Sequence, residues 1–238
     1  MRIWYTFCRD WCRFYVNVFH WGRAYNRHFV PPSGSVLLVS NHQSFLDPVV
    51  VGYCLNREVD YMARDTLFKN PVFGKIIRSV NAFPVKRGEA DLTAIKETLR
   101  RLRDQRVMLL FPEGTRTPDG LIREFKPGFA LLARKANAPI IPVVVDGAFE
   151  AWPRSSPVPH PFIPINVIYG KPILPEEVKS RTPEEFVKMI HQIMIKMQNG
   201  LRLKAGKTPY NYEKLTANSL QQTASESGGD STNENLTG

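Results

Sequence analysis

The chain has 238 residues, 43% of them apolar, and a formal net charge of +10. That length and apolar share allow one domain of about 200 residues with a real core, plus appendages. Three cysteines without a Cys-x-x-Cys exclude a disulfide framework and fit a reduced, cytosol-facing compartment. The charge calls for an anionic partner: nucleic acid, a phospholipid surface or a phosphorylated substrate.

In residues 1–29, Trp4, Phe7, Trp11, Phe14, Val18, Trp21 and Tyr25 recur at steps of three and four, which predicts an amphipathic helix over 1–30. Arg2, Arg9, Arg13, Arg23 and Arg27 add positive charge. The longest uncharged stretch, 14–22, falls short of the ~20 residues that cross a bilayer, and no small-residue cleavage site follows it. Such a helix either lies in the headgroup layer or packs on the domain. Pro31-Pro32-Ser33-Gly34 then breaks the chain before a buried strand, Val36 to Val39.

The polar loop Asn41 to Asp47 leaves that strand at its carboxyl end, where open α/β sheets place their chemistry. His42 and Asp47, four residues between them, can meet across it. The carboxylate would hold one imidazole nitrogen protonated and leave the other as a base. Asp47 before Pro48 is equally a cap for a helix over 48–54, with His42 a polar loop residue, and the two readings are compatible. A strand over 59–63 and a helix over 71–80 follow. A short strand then ends in Lys86 and Arg87, either solvated cations or a phosphate site. The stretch 91–105 reads as a surface helix with Leu92, Ile95, Leu99 and Leu102 inward.

Val107 to Phe111 is a continuous apolar run, a central strand buried on both faces. It emits Pro112-Glu113-Gly114-Thr115-Arg116. The glycine permits a sharp turn, and the arginine can clamp a phosphate through two parallel hydrogen bonds. Glu113 can fix that guanidinium or accept from a substrate hydroxyl. A turn with a solvated salt bridge is the plainer alternative. Further strands are predicted over 139–145 and 166–169, joined by a proline-rich connector, 150–164. Thr182-Pro183-Glu184-Glu185 is a capping box for a helix to about Leu203, and a polar, disordered tail is predicted over 206–238.

Asn41-His42 with Asp47, followed about seventy residues later by Phe111-Pro112-Glu113-Gly114-Thr115-Arg116, resembles the glycerolipid acyltransferase family. The 1-acylglycerol-3-phosphate acyltransferases are the nearest likeness within it. Phe83-Pro84-Val85-Lys86-Arg87 sits where that family keeps its second motif, and Ile140-Ile141-Pro142-Val143 matches its fourth. Phe125-Lys126-Pro127-Gly128 resembles the segment after the third. The likeness covers roughly residues 35–172, in order and in register.

The resemblance implies an α/β domain over 31–205, with a mixed, mostly parallel sheet flanked by helices. It implies His42 as general base on a glycerol hydroxyl that attacks an acyl-CoA or acyl-carrier-protein thioester, with Asp47 orienting it. Arg87, Glu113, Gly114, Thr115 and Arg116 would hold the acceptor's phosphate, with Lys86 and Lys126 as additional cations. The product would be phosphatidate, made at the cytoplasmic face of an anionic membrane by a peripheral or monotopic enzyme without metal or redox cofactor. Another lysophospholipid, or a different hydroxylated or aminated lipid, is the alternative acceptor. A basic nucleic-acid-binding protein would explain the charge alone, but no nucleic-acid signature is present. Ser44 is the rival nucleophile, yet no Gly-x-Ser-x-Gly elbow surrounds it.

Overall fold

Seven strands pair into one sheet in a computed structural model that describes residues 2–86 and 91–212. The strands are β1 (Arg23–Tyr25), β2 (Val36–Ser40), β3 (Val59–Arg64), β4 (Ala82–Val85), β5 (Val107–Leu110), β6 (Ile140–Asp146) and β7 (Asn166–Tyr169). Their spatial order is β1-β7-β6-β2-β5-β3-β4, and every pair is parallel except β6 with β7. This is the mixed, mostly parallel α/β sheet expected. The helices are α1 (Ile3–His20), α2 (Asp47–Gly52), α3 (Pro71–Ser79), α4 (Leu92–Arg103), α5 (Gly128–Ala136), α6 (Ala148–Ala151), α7 (Pro175–Lys179) and α8 (Pro183–Lys204).

Strand β2 is buried along its whole length. Val36 and Leu38 join one core cluster, and Leu37 and Val39 join the other, so its alternating side chains fill both faces. The connection leaving β2 runs towards β3, on the far side of β5, whereas the one leaving β5 runs back past β2 to β6. Neighbouring strands whose connections leave in opposite directions open a crevice at their carboxyl ends, the usual ligand position in such sheets. His42 leaves one of these strands and Glu113 the other.

The structure differs from the expected elements in three places. The first helix stops at His20, Trp21 turns left-handed (φ 42°), and residues 23–25 form an edge strand on β7 rather than more helix. Gly22 sits so close to Val16 and the Tyr53 hydroxyl that a Cβ there would overlap both. Helix α4 buries Ala94, Thr98 and Leu102, leaving Leu92 exposed. Its rotation brings Arg101 to Asp60, which Arg106 also reaches, at 2.7 and 2.6 Å. Third, residues 207–212 pack against α8 instead of joining a disordered tail: the Asn199 side chain bonds the backbone of Tyr210 in both directions, and Arg202 stacks 3.8 Å over the Tyr210 ring. Two tyrosines in an otherwise polar run supply the burial that the composition concealed. The remainder of the tail, 213–238, lies outside the described residues.

Helix α1 packs through Tyr5, Cys12 and Val16. Tyr5 accepts from the Val59 N–H at 2.9 Å, and Arg13 donates to the Tyr53 carbonyl. The regular aromatic stripe therefore faces outward: Trp4, Phe7, Trp11, Phe14, Val18 and Trp21 are all exposed.

Candidate active site

Asn41 closes β2 with its side chain. Its amide donates to the Val145 carbonyl at 2.9 Å and accepts from the Val145 N–H at 2.8 Å, imitating a strand partner on β6 while the backbone turns away. The next residue, His42, points its Nδ1 at Asp47 Oδ2, 2.8 Å away. A carboxylate can only accept there, so Nδ1 carries the proton and Nε2 keeps the basic lone pair. The same Oδ2 accepts the N–H groups of Gln43 (2.6 Å) and Ser44 (2.7 Å). Asp47 is fully buried and begins α2, but Leu46 is the capping position and no side chain caps that helix. The aspartate caps the loop of residues 42–44, not the helix. Phe111, just past β5, stacks on the imidazole at 4.1 Å and 19°, fixing the ring plane.

Across the crevice, Glu113 is 2% exposed and its carboxylate faces main chain. Oε1 accepts from the His42 N–H at 2.9 Å and Oε2 from the Arg123 N–H at 3.2 Å. The substrate contact expected of Glu113 is replaced by a brace between the two loops. Thr117 N–H donates to the His42 carbonyl at 2.8 Å and completes it. Gly114 takes φ +70°, where L side chains are strained, and so turns the chain sharply enough to bring Arg116 back over the crevice. The Arg116 guanidinium lies 3.5 Å over the Phe45 ring. Ser44 is fully buried, donates to the Trp152 carbonyl at 2.9 Å and accepts from the Leu46 N–H, leaving its oxygen engaged away from His42.

Of the other predicted site residues, Thr115, Lys126 and Lys86 are exposed. Lys86 follows β4, three strand spacings (~14 Å) from β2. Neither lysine is among the residues lining the cavity below. Arg87 lies outside the described residues. Among the described residues no group of three His, Cys, Asp or Glu could hold a metal ion.

A largely apolar cavity of about 470 Å³ runs from His42, Phe45, Phe111 and Arg116 between α1, α2, α3 and the face of β3. Tyr5, Cys12, Tyr53, Tyr61, Phe73 and Ile77 are among its walls, with Arg9 and Arg64 also lining it. Strand register gives its reach. Tyr61, the first β3 residue on its wall, is level with Leu109 and hence with Leu38, four residues before His42. At about 3.3 Å per residue the two stand roughly 13 Å apart. Arg64 carried no sequence signal, and Asn41, Phe111 and Arg9 were visible only as motif positions or a helix cation; their contacts here follow from the tertiary pairing.

Burial pushes the Glu113 carboxyl up to about 8, against two N–H donors that lower it, while the Asp47 charge adds to the rise. An unfolded glutamate titrates near ~4.3. Folding therefore takes up a proton between about pH 4 and 8, and this contribution to stability is full below the unfolded value and lost as pH rises through the folded one. Urea melts from about pH 5 to 9 should show that decline, and Glu113→Gln should flatten it. Parallel curves for the two proteins would contradict the assignment.

The family model described as Acyltransferase matches residues 23–146, a span holding all four motifs. A 1-acyl-sn-glycerol-3-phosphate acyltransferase of Limnanthes alba is 29% identical over 163 residues, covering 67% of this chain and 58% of that protein. One of Bacillus subtilis (strain 168) is 26% identical over 144 residues, covering 60% and 71%. An N-acylphosphatidylethanolamine synthase of Arabidopsis thaliana is 35% identical over 162 residues, covering 60% and 57%. The chain thus spans well under two thirds of both plant relatives. In fold it is similar to the crystal structure of the 1-acyl-sn-glycerophosphate (LPA) acyltransferase PlsC from Thermotoga maritima, with a TM-score of 0.67 at 23% identity over 80% of this chain and 76% of that one. The matched span covers more than half of the sequence and contains the buried His42–Asp47 pair: the chain belongs to the acyltransferase family.

Proposed function

We propose that the protein moves a fatty acyl group from an acyl-CoA or acyl-carrier-protein thioester to the free hydroxyl of 1-acylglycerol-3-phosphate, giving phosphatidate. The observation that carries this reading is a histidine whose Nδ1 is fixed by a buried carboxylate, set at the end of a long apolar cavity beside Arg116. His42 Nε2 takes the hydroxyl proton as the oxygen attacks the thioester carbon. The carbon–sulfur bond breaks, and the departing thiolate recovers the proton from Nε2. Thiolates leave without a strong acid, so one base serves both halves of the step. With the Ser44 hydroxyl tied to Trp152, transfer is direct and forms no acyl-enzyme. The cavity takes an acyl chain, and Arg116, with Arg64 on the same wall, grips the acceptor's phosphate. Arg87 belongs to the same phosphate reading through its motif alone.

The similarity to a relative named N-acylphosphatidylethanolamine synthase favours a second reading, in which the acceptor carries an amine and a phosphodiester. Acceptor panels assayed with both donors separate the two. Steady-state kinetics test the roles. His42→Ala should lower kcat by about 10²–10⁴-fold with the fold intact, and near-wild-type turnover would reject the base. Arg116→Ala should mainly raise the acceptor's KM, and a defect confined to the acyl donor would contradict the phosphate contact.

The acceptor is a membrane lipid, and the surface around the cavity suits an anionic bilayer. No helix among the described residues is long and apolar enough to cross a membrane. The outward stripe of α1 continues onto α3, where Val72, Phe73 and Ile76 are exposed and the Trp4 indole N–H donates to Ser79. Aromatic rings interleaved with cations on such a face fit the headgroup layer, on the cytoplasmic side. Flotation with anionic vesicles should recover the wild-type protein and lose a Trp4→Glu, Trp11→Glu double variant, with binding weakened by salt. Equal flotation of the two would remove the docking face.

A further inference from the structure

Residues 207–212 do more than cover α8. The Tyr212 hydroxyl accepts the Ile122 N–H at 3.0 Å and donates to Gln198 Oε1, and burial holds it protonated by raising its pKa. From that one oxygen two hydrogen-bonded branches reach the catalytic loop. The first passes from Ile122 to the next residue, Arg123, whose N–H donates to Glu113 Oε2, while Glu113 Oε1 accepts from the His42 N–H. The second passes through Gln198, fully buried, whose amide donates to the Gly120 carbonyl at 2.9 Å; the Gln43 amide donates to the same carbonyl at 2.8 Å. The branches end on residues 42 and 43, adjacent in the chain. Gly120 adopts φ +87°, and a Cβ there would overlap the Tyr210 hydroxyl, so the strap and the loop are fitted to each other at main-chain level.

We propose that Tyr212 is a positioning residue for acyl transfer: the C-terminal strap sets the loop carrying Glu113 and Arg116 against the loop carrying His42. Geometry rather than general stability is at stake, because both branches converge on the backbone that aims the imidazole. Removing that hydroxyl takes the acceptor from the first branch and the donor from the second, which would let the loops shift relative to each other without unfolding the sheet. Small displacements of a base cost turnover steeply.

The inference rests on the acyl-transfer reading, so wild-type protein is assayed first with thioester donor and lysophosphatidate. Absence of product there would overturn the proposed function itself. With an active wild type, Tyr212→Phe should lower kcat by about fivefold at temperatures well below its melting transition, leaving the donor's KM and vesicle flotation unchanged. Deleting 213–238 should leave kcat at the wild-type value, whereas deleting 207–238 should reproduce or exceed the Tyr212→Phe loss. Unchanged kcat in Tyr212→Phe would overturn the inference. So would a loss that merely tracks a lower melting temperature, which would make the strap structural. If the longer deletion does not fold, Tyr212→Phe alone decides.

Discussion

Three N–H groups converging on one oxygen of Asp47 set the geometry on which the rest depends. Two come from consecutive backbone amides, Gln43 and Ser44, and the third from the His42 ring. A short loop can satisfy all three only in a tight turn, so the acid that chooses the tautomer also dictates the path of the chain. Stacking on Phe111 removes the remaining rotation of the imidazole. The pair is thus preorganised before any substrate arrives, and binding energy need not be used to assemble it.

The same convergence limits how the negative charge of the transition state is met. The N–H groups of His42, Gln43 and Ser44 already serve Glu113 and Asp47, so this turn is not built as an oxyanion hole. In the proposed reaction that charge would fall to cationic side chains at the crevice such as Arg116, whose guanidinium is backed by the Phe45 face. Burial pushes the Glu113 carboxyl up to about 8, and its two oxygens accept main-chain N–H groups from residues 42 and 123.

The strands were legible because they are buried on both faces: runs such as Val36 to Val39 and Val107 to Phe111 have no polar phase to confuse with a helix. The His42–Asp47 pair was legible because strand end, spacing and side-chain type coincide within seven residues. What failed to appear depends on distant partners. The three-residue edge strand at Arg23 exists only because β7, more than 140 residues on, lies beside it. Glu113 reads as a ligand locally, since nothing near it says that its oxygens meet main chain 71 residues earlier. Tyr212 sits in a polar run whose composition resembles a solvated tail, and one aromatic side chain outweighs that average once Gln198 and Ile122 are beside it.

Helix α1 shows why periodicity alone could not decide its role. Its most regular stripe is the one left outside, while a less regular set, Tyr5, Cys8 and Cys12, forms cavity wall. The packing face bears out the expectation of a helix seated on the domain, and the outward stripe is the face proposed for lipid. In the proposed reaction this one helix offers its outer aromatic face to lipid and its inner face to the cavity that ends at His42.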